Sequence, residues 1–408
     1  MRLVIYGINY SPELTGIGKY SSEMAEWLSK QGHEVRVVTA PPYYPEWKIS
    51  KQYTSLFYRS ELVNGVSVWR CPLWVPSRPS GLKRILHLAS FALTSFPIML
   101  YQIVWKPNII LVIEPPLFCA PTTLLTAWFC RARSWLHVQD FEVDAAFDLG
   151  ILFSPWLRRL VLILEAWLMN RFDRVSTISY QMMCRLSNKG VDDITQVLFP
   201  NWVDIDHIYP LEFRSPYREE LEIPISNIVF LYSGNMGEKQ GLEIIVESAR
   251  RLTEQKNITF VMCGHGAAYT RLRKLAEGLN NIHWLLLQPL NKLNDLLNIA
   301  DIHFLPQRAD AADLVMPSKL TGMLASGKPV LATALPDTQV AQVLESTGII
   351  VPPENLSLLV DAIVDLANNT ELRQNLGANA RNYAVKHLSK DAILGRFEES
   401  ILDCVIAK

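Results

Sequence analysis

Glycines, lysines and carboxylates follow short apolar runs at several points in this chain, and each point could hold or act on an anion. The run Leu3–Ile8 leads into Asn9-Tyr10-Ser11-Pro12-Glu13-Leu14-Thr15-Gly16-Ile17-Gly18-Lys19-Tyr20. A dinucleotide fingerprint needs GxGxxG tight against its strand. Here the first glycine of the motif is Gly16 and position 21 is Ser21, so nicotinamide chemistry is a poor fit. Gly16, Ile17, Gly18, Lys19 and Tyr20 instead open a helix, whose free backbone N–H groups suit a phosphate or diphosphate.

A second such loop is Leu231-Tyr232-Ser233-Gly234-Asn235-Met236-Gly237-Glu238-Lys239-Gln240-Gly241. Backbone N–H groups plus the Lys239 ammonium make a diphosphate cradle. Val261-Met262-Cys263-Gly264-His265-Gly266 repeats the switch from strand to glycine. In Met316-Pro317-Ser318-Lys319-Leu320, Ser318 is placed to cap a helix and Lys319 lies in its first turn. A cation there opposes the helix dipole, and a bound anion would offset that cost. Leu136-His137-Val138-Gln139-Asp140-Phe141-Glu142-Val143-Asp144 puts a histidine and three carboxylates at the end of a strand. Alternation places His137 and Gln139 on one face and Val138 and Asp140 on the other, so Asp140 and His137 are the candidate catalytic groups. Asp204-Ile205-Asp206 has DxD spacing but no third ligand beside it, and no metal site is expected.

The elements that must position these loops follow from the apolar pattern. Strand-length runs occur at Leu3–Ile8, Glu34–Thr39, Val66–Cys71, Asn108–Ile113, Ser134–Val138, Arg174–Ile178 and Gln196–Phe199. They alternate with helical patterns such as Ile17–Gln31, which Gly32 ends. Continuous apolar runs are strands buried on both faces, and strand–helix alternation implies a parallel sheet. The rhythm breaks at Asn201–Ile225, which carries Pro210, Pro216 and Pro224, and restarts with Ile228–Tyr232, Thr259–Cys263, His283–Leu287, Ile302–Leu305 and Pro329–Thr333. After Glu371 the chain reads as helix to its end. The expectation is two facing α/β domains, 1–205 and 206–385, with a helical tail at 386–408 that packs back on the first. Ligands in such sheets sit beyond the carboxyl ends of the strands, and a cleft between two of them suits a two-substrate reaction.

These motifs together resemble the family 4 retaining glycosyltransferases. The carriers are the Gly-Ile-Gly loop, Asn201 in Phe199-Pro200-Asn201-Trp202-Val203-Asp204, the Gly234–Gly241 loop, the Gly264/Gly266 turn and Pro317–Pro329. The resemblance spans nearly the whole chain. It implies the GT-B fold, two Rossmann-like domains with parallel sheets and a C-terminal helix crossing back to the first. It also implies a nucleotide-sugar donor on the second domain, facing Gly234, Asn235, Lys239, Gly264, His265, Pro317, Ser318, Lys319 and Leu320. The loop Gly16–Tyr20 would approach the donor phosphates and the acceptor. Asp140 or His137 would act near the anomeric carbon. No cofactor or metal is implied. Through Ala40-Pro41-Pro42-Tyr43-Tyr44-Pro45 the chain resembles the branch that assembles exopolysaccharide of the colanic acid type. GDP-fucose is the donor that branch implies, and an undecaprenyl diphosphate saccharide is the acceptor. A nucleotide-sugar 2-epimerase, or a non-catalytic saccharide- or nucleotide-binding subunit, are the alternatives. Three departures stand out. Many members carry Arg where this chain has Asn235. Leu314 and Gly322 occupy the places of the family's paired glutamates, with Asp310 or Asp313 as substitutes for the first. Gln139-Asp140 replaces a frequent His-Asp.

The chain has 408 residues, 39 basic against 40 acidic, a balance that argues against nucleic acid as a partner. The balance conceals an uneven distribution. Before residue 111 there are twelve Lys and Arg against six Asp and Glu, and ten of eleven tryptophans precede residue 203. Ile85–Val104 holds no charged residue, with Lys83 and Arg84 before it and Trp105 and Lys106 after it. It lies between two strands of one sheet, so it reads as a core helix or as a helix in a membrane interface rather than a span. Trp128, Trp156 and Trp167 suit the headgroup zone. Basic residues favour an anionic leaflet, which places the protein in the cytoplasm against the inner membrane face. The six cysteines show no CxxC pair and read as free thiols of a reducing compartment.

Overall fold

The computed structural model describes residues 1–13, 16–77, 80–144, 155–237, 240–308, 317–336 and 338–407. It divides into two compact units, Met1–Pro200 with Leu394–Lys408, and Asn201–Ile393.

The first unit is built on β1 (Arg2–Tyr6), β2 (Glu34–Thr39), β3 (Arg59–Val63), β4 (Val66–Arg70), β5 (Ile109–Glu114), β6 (Arg133–Val138), β7 (Arg174–Thr177) and β8 (Gln196–Leu198). Their order in the sheet is β3-β4-β2-β1-β5-β6-β7-β8. All pairs are parallel except β3 with β4. Every residue of β5, Ile-Ile-Leu-Val-Ile-Glu, is buried, as a central strand covered on both faces requires. β3 was not expected. It is an exposed edge strand joined to β4 by Asn64-Gly65, with Asn64 at φ 48°. That dipeptide supplies the positive φ a tight hairpin needs.

The second unit contains β9 (Ile228–Ser233), β10 (Ile258–Cys263), β11 (Ile282–Leu285), β12 (Ile302–Leu305), β13 (Val330–Thr333) and β14 (Gly348–Val351). The sheet is parallel throughout, in the order β11-β10-β9-β12-β13-β14. Here β14 is the strand the sequence did not announce. Phe230, Phe260 and Phe304, from three neighbouring strands, stack as the centre of its core.

Two features of this topology matter for the site. Strand order reverses between β1 and β5 in the first unit and between β9 and β12 in the second. Loops leaving such a switch point diverge and leave a crevice at the carboxyl edge of the sheet. The last helix, Lys390–Ile406, returns to the first unit. There Phe397 stacks on Phe199 at 3.8 Å and meets the Trp135 ring edge-on, while Glu398 pairs with His33 at 2.6 Å.

Candidate active site

In the second unit the turns after β9 and β10 press against one another. A Cβ on Gly264, whose φ is 141°, would stand 1.9 Å from the Gly234 carbonyl oxygen. No side chain fits that gap, so the backbone itself forms the surface. Gly234 N–H donates to Cys263 O at 3.0 Å, Met236 N–H to His265 O at 2.9 Å, and Ala268 N–H to Met236 O at 2.9 Å. Beneath them the buried Tyr232 hydroxyl donates to Asn235 O at 2.6 Å. Burial pushes the Tyr232 phenol up, which keeps its proton available for that bond.

Lys319 reaches over this platform. Its Nζ lies 4.5 Å from the Tyr232 ring centre and donates to the Tyr232 hydroxyl at 3.4 Å. Its Cδ is 3.6 Å from where a Gly234 Cβ would be. Lys319 is the second residue of the helix Ser318–Ala325, whose cap is Pro317, not Ser318. The cation therefore sits where the dipole disfavours it. A second cation went unread in the sequence. Arg308 follows β12, lies against Gly241 with its Cγ 2.9 Å from a Cβ there, and pairs with Glu243 at 3.4 Å. It enters because β12 neighbours β9 across the switch point.

The other expected donor residues divide. Asn235 and His265 are exposed on the platform, with the His265 ring 5.1 Å from Tyr269. Pro317 and Ser318 stand at the helix start. Leu320 does not belong to the site: it is wholly buried among Val203, Leu324 and Leu344. Its N–H donates to Pro317 O at 2.9 Å, and its side chain is core. Lys239 and Asp313 lie outside the described residues, as do Asp310 and Leu314. Gly322 is packed near Leu297, where a Cβ would come within 3.4 Å. Asp204 uses both oxygens within its own turn and on Lys390.

In the first unit the loop after β1 is braced from below. Buried Glu13 accepts the Tyr43 and Tyr44 N–H groups at 3.0 Å each and the Asn9 amide at 2.9 Å. Burial, offset by those bonds, pushes its carboxyl up. Gly18 packs so close that a Cβ would fall 2.8 Å from Glu13 Cβ. Arg70, 2% exposed, ties the same loop to its neighbour by donating to Ser11 O at 2.6 Å and Ala40 O at 3.1 Å. Neither Glu13 nor Arg70 was singled out in the sequence. Gly16 is exposed, and Ile17 and Lys19 are half-buried, with Lys19 3.9 Å from Glu23. Tyr20 is a buried core residue, with the Lys19 ammonium 5.3 Å from its ring centre.

At the mouth of β6 the structure separates the two candidate catalysts. Asp140 is exposed. His137 is not available to a substrate. It is buried, its Nδ1 bonds Ser176 Oγ at 2.9 Å, and the Gln139 amide nitrogen donates to its Nε2 at 2.9 Å. Burial pulls its imidazole down to about 3, so it stays neutral. His137 thus holds the side chain of Gln139, which precedes Asp140 in the chain. Below it, Glu142 accepts the Leu117 N–H at 2.7 Å and is pushed up to about 7 by burial, then by Glu165.

Comparison with known proteins agrees with this fold. Residues 15–202 match the glycosyl transferase 4-like domain family, and residues 213–383 match the glycosyl transferases group 1 family. WcaI of Escherichia coli (strain K12), which carries the name of a colanic acid biosynthesis glycosyl transferase, is 42% identical over 98% of this chain and 100% of its own. An N-acetyl-alpha-D-glucosaminyl L-malate synthase of Bacillus anthracis is 19% identical over 99% of this chain and 97% of its own. Among solved structures, a sucrose-phosphate synthase of Thermosynechococcus elongatus superposes with a TM-score of 0.75 over 100% of both chains at 16% identity. HepE of Anabaena, solved with UDP and glucose, gives 0.68 over 99% of this chain and 100% of its own at 15% identity.

Proposed function

Since the chain belongs to the family of glycosyltransferases with a 4-like first half and a group 1 second half, we propose that it moves fucose, with retention, from GDP-fucose to a lipid-linked saccharide. The second unit would hold the donor and the first the acceptor. The E. coli relative's name supports a place in exopolysaccharide assembly of the colanic acid type.

One observation carries the donor assignment: the apposed backbones at Gly234 and Gly264 with Lys319 lying over them. A fixed cation held over a backbone surface with no side chain in the way stabilises charge that grows on a leaving diphosphate. In the reaction the sugar C1–O bond breaks, the nucleoside diphosphate leaves, and the acceptor hydroxyl oxygen bonds C1 on the same face. The acceptor proton passes to a donor phosphate oxygen. Lys319, Arg308 and, from the sequence, Lys239 meet the developing charge, so turnover needs no divalent metal. Asp140 is assigned to orienting the reacting sugars.

A membrane location is supported by the helix Gly81–Trp105. It is the one described helix long and apolar enough to cross a membrane, and 22% of its apolar window is buried. A core helix buries its apolar face. This one buries His87, Phe91, Ser95, Met99 and Gln102 and exposes Leu82, Leu86, Leu93, Phe96 and Val104. That outward apolar side favours the interface reading of this helix over the core one. The helix Pro155–Met169 likewise exposes Trp156, Leu160, Ile163, Leu164 and Trp167, beside Arg158 and Arg159. Apolar faces bordered by arginine suit an anionic bilayer surface.

The test is incubation of the full chain with labelled GDP-fucose and a short undecaprenyl diphosphate saccharide. Label entering the lipid phase is the expected result. Consumption of no nucleotide-sugar, with or without acceptor, would remove the enzyme reading.

A further inference from the structure

A cavity of about 230 Å³ opens in the first unit between the segment that follows Pro41 and the end of β4. Pockets that take a whole drug-sized ligand run from about 300 to 1,000 Å³, so this one suits a headgroup rather than a nucleotide. Its position is set by the sheet. Arg70 ends β4, Pro41 comes two residues after β2, and Arg70 bonds Ser11 in the loop after β1. The cavity thus lies at the carboxyl edge of the sheet, beside the loop that leads to Gly16.

Its charge is positive. Lys51, Arg59 and Arg70 line it. Arg59 and Arg70 both lie over the Tyr53 ring, at 5.0 and 4.7 Å from its centre. One carboxylate, Glu61, pairs with both guanidiniums, at 3.1 and 2.5 Å. Glu61 pairs with the two guanidiniums and buried Glu13 lies within electrostatic reach of Arg70, so Lys51 and the exposed Arg59 carry the positive charge of this small opening. Like charges gathered this way repel, and a dianion would relieve the repulsion. Arg70 is 2% exposed and spends three N–H bonds on Glu61, Ala40 O and Ser11 O, so it is fixed in place. Arg59 donates to Gln52 O at 3.1 Å and is far more exposed than Arg70, so its guanidinium is the planar donor that suits phosphate oxygens.

The cavity also touches the apolar surface. Phe57 lines it and is 69% exposed. The next residue, Tyr58, is exposed and donates its hydroxyl to the Thr94 carbonyl of the Gly81–Trp105 helix at 2.8 Å. Leu56, Phe57 and Tyr58 therefore run from the cationic opening to the helix whose apolar side chains face outward. A soluble anion has no use for that path. An amphiphile does: its anionic head would enter the cavity while its hydrocarbon follows the helix.

We propose that this cavity seats the diphosphate of the lipid-linked acceptor, held by Lys51 and Arg59 over the Tyr53 ring, with the polyprenyl chain leaving past Phe57 and Tyr58. This rests on the acceptor reading given above and fixes where the acceptor is gripped. It makes the lipid diphosphate, and not only the terminal sugar, a determinant of acceptor choice.

The test uses farnesyl diphosphate, which carries no sugar, with farnesol and inorganic pyrophosphate as comparison probes. Binding to the full chain is measured by calorimetry at low and high salt. Farnesyl diphosphate should bind at least about tenfold more tightly than either comparison probe, and weaken as salt rises. The Lys51→Ala/Arg59→Gln double variant should lose about tenfold or more, while Arg59→Lys, which keeps the charge, should lose less. Thermal stabilisation by a nucleoside diphosphate reports that each variant is folded. Equal affinity of wild type and the double variant would overturn the proposal. So would farnesol or pyrophosphate binding as tightly as farnesyl diphosphate. None of these readouts involves sugar transfer, so failure here is distinct from failure of the enzyme reading.

Discussion

The Lys319 ammonium lies 4.5 Å from the centre of the Tyr232 ring and 3.4 Å from its hydroxyl. The ring face steadies a cation that its own helix start disfavours. Lys319→Ala should lower kcat/KM at least about tenfold, or about 1.4 kcal/mol in the barrier. Tyr232→Phe keeps the ring but loses the bond to Asn235 O, so it should cost about 1 kcal/mol of stability and less activity than Lys319→Ala. Steady-state kinetics with thermal unfolding separates the two, and equal rates for wild type and Lys319→Ala would remove Lys319 from the donor site.

Gly264 is the tightest point of the platform. Gly264→Ala would drive a methyl into the Gly234 carbonyl, and overpacking of this kind costs about 1–3 kcal/mol. The expected outcome is a lower Tm and loss of nucleotide stabilisation together. A variant with unchanged Tm and unchanged nucleotide response would show that the two backbones are free to part.

The strands were legible because those buried on both faces are written as apolar runs. β3 was not, since Arg59–Val63 is an exposed edge with no such run, although Asn64-Gly65 marked its hairpin. The glycine turns after β9 and β10 were legible from residue type and place. Arg308 was not, because its meaning depends on β12 lying beside β9, far away in sequence. Alternation put His137 and Gln139 on one face, and the structure bonds them to each other. It could not say that Phe199 and the returning helix with Phe397 cover that side of the sheet. The outward apolar face of Gly81–Trp105 was also hidden, because its uncharged stretch Ile85–Val104 reads alike as core and as membrane contact.

Glu142 gives a pH test. Its folded carboxyl is raised to about 7 by burial and then by Glu165, against 4.5 ordinarily. A raised acid favours the folded state at low pH, and that stability is lost as pH climbs from 4.5 through 7. Glu142→Gln keeps an acceptor for Leu117 N–H and cannot ionise. Its Tm relative to wild type should be similar at pH 5 and higher at pH 8. A difference independent of pH would contradict the assigned cause.

Membrane contact is checked by flotation with liposomes. The full chain should bind anionic vesicles and lose much of that binding at high salt. Leu93→Glu with Leu160→Glu, both exposed positions, should cut binding about tenfold or more with Tm unchanged. Binding unaffected by the pair would show that these helices face something other than lipid.

The assignment of the second unit to the donor is tested most directly by thermal shift with GDP-, UDP- and dTDP-sugars, on wild type and Lys319→Ala side by side. Ligand bound only to the folded state stabilises it by about 2.7 kcal/mol at a hundred times Kd. The account predicts that one nucleotide class, GDP-fucose foremost, raises the Tm of wild type, and that the rise shrinks or vanishes in Lys319→Ala. No shift with any nucleotide-sugar, or an equal shift in both proteins, would contradict it.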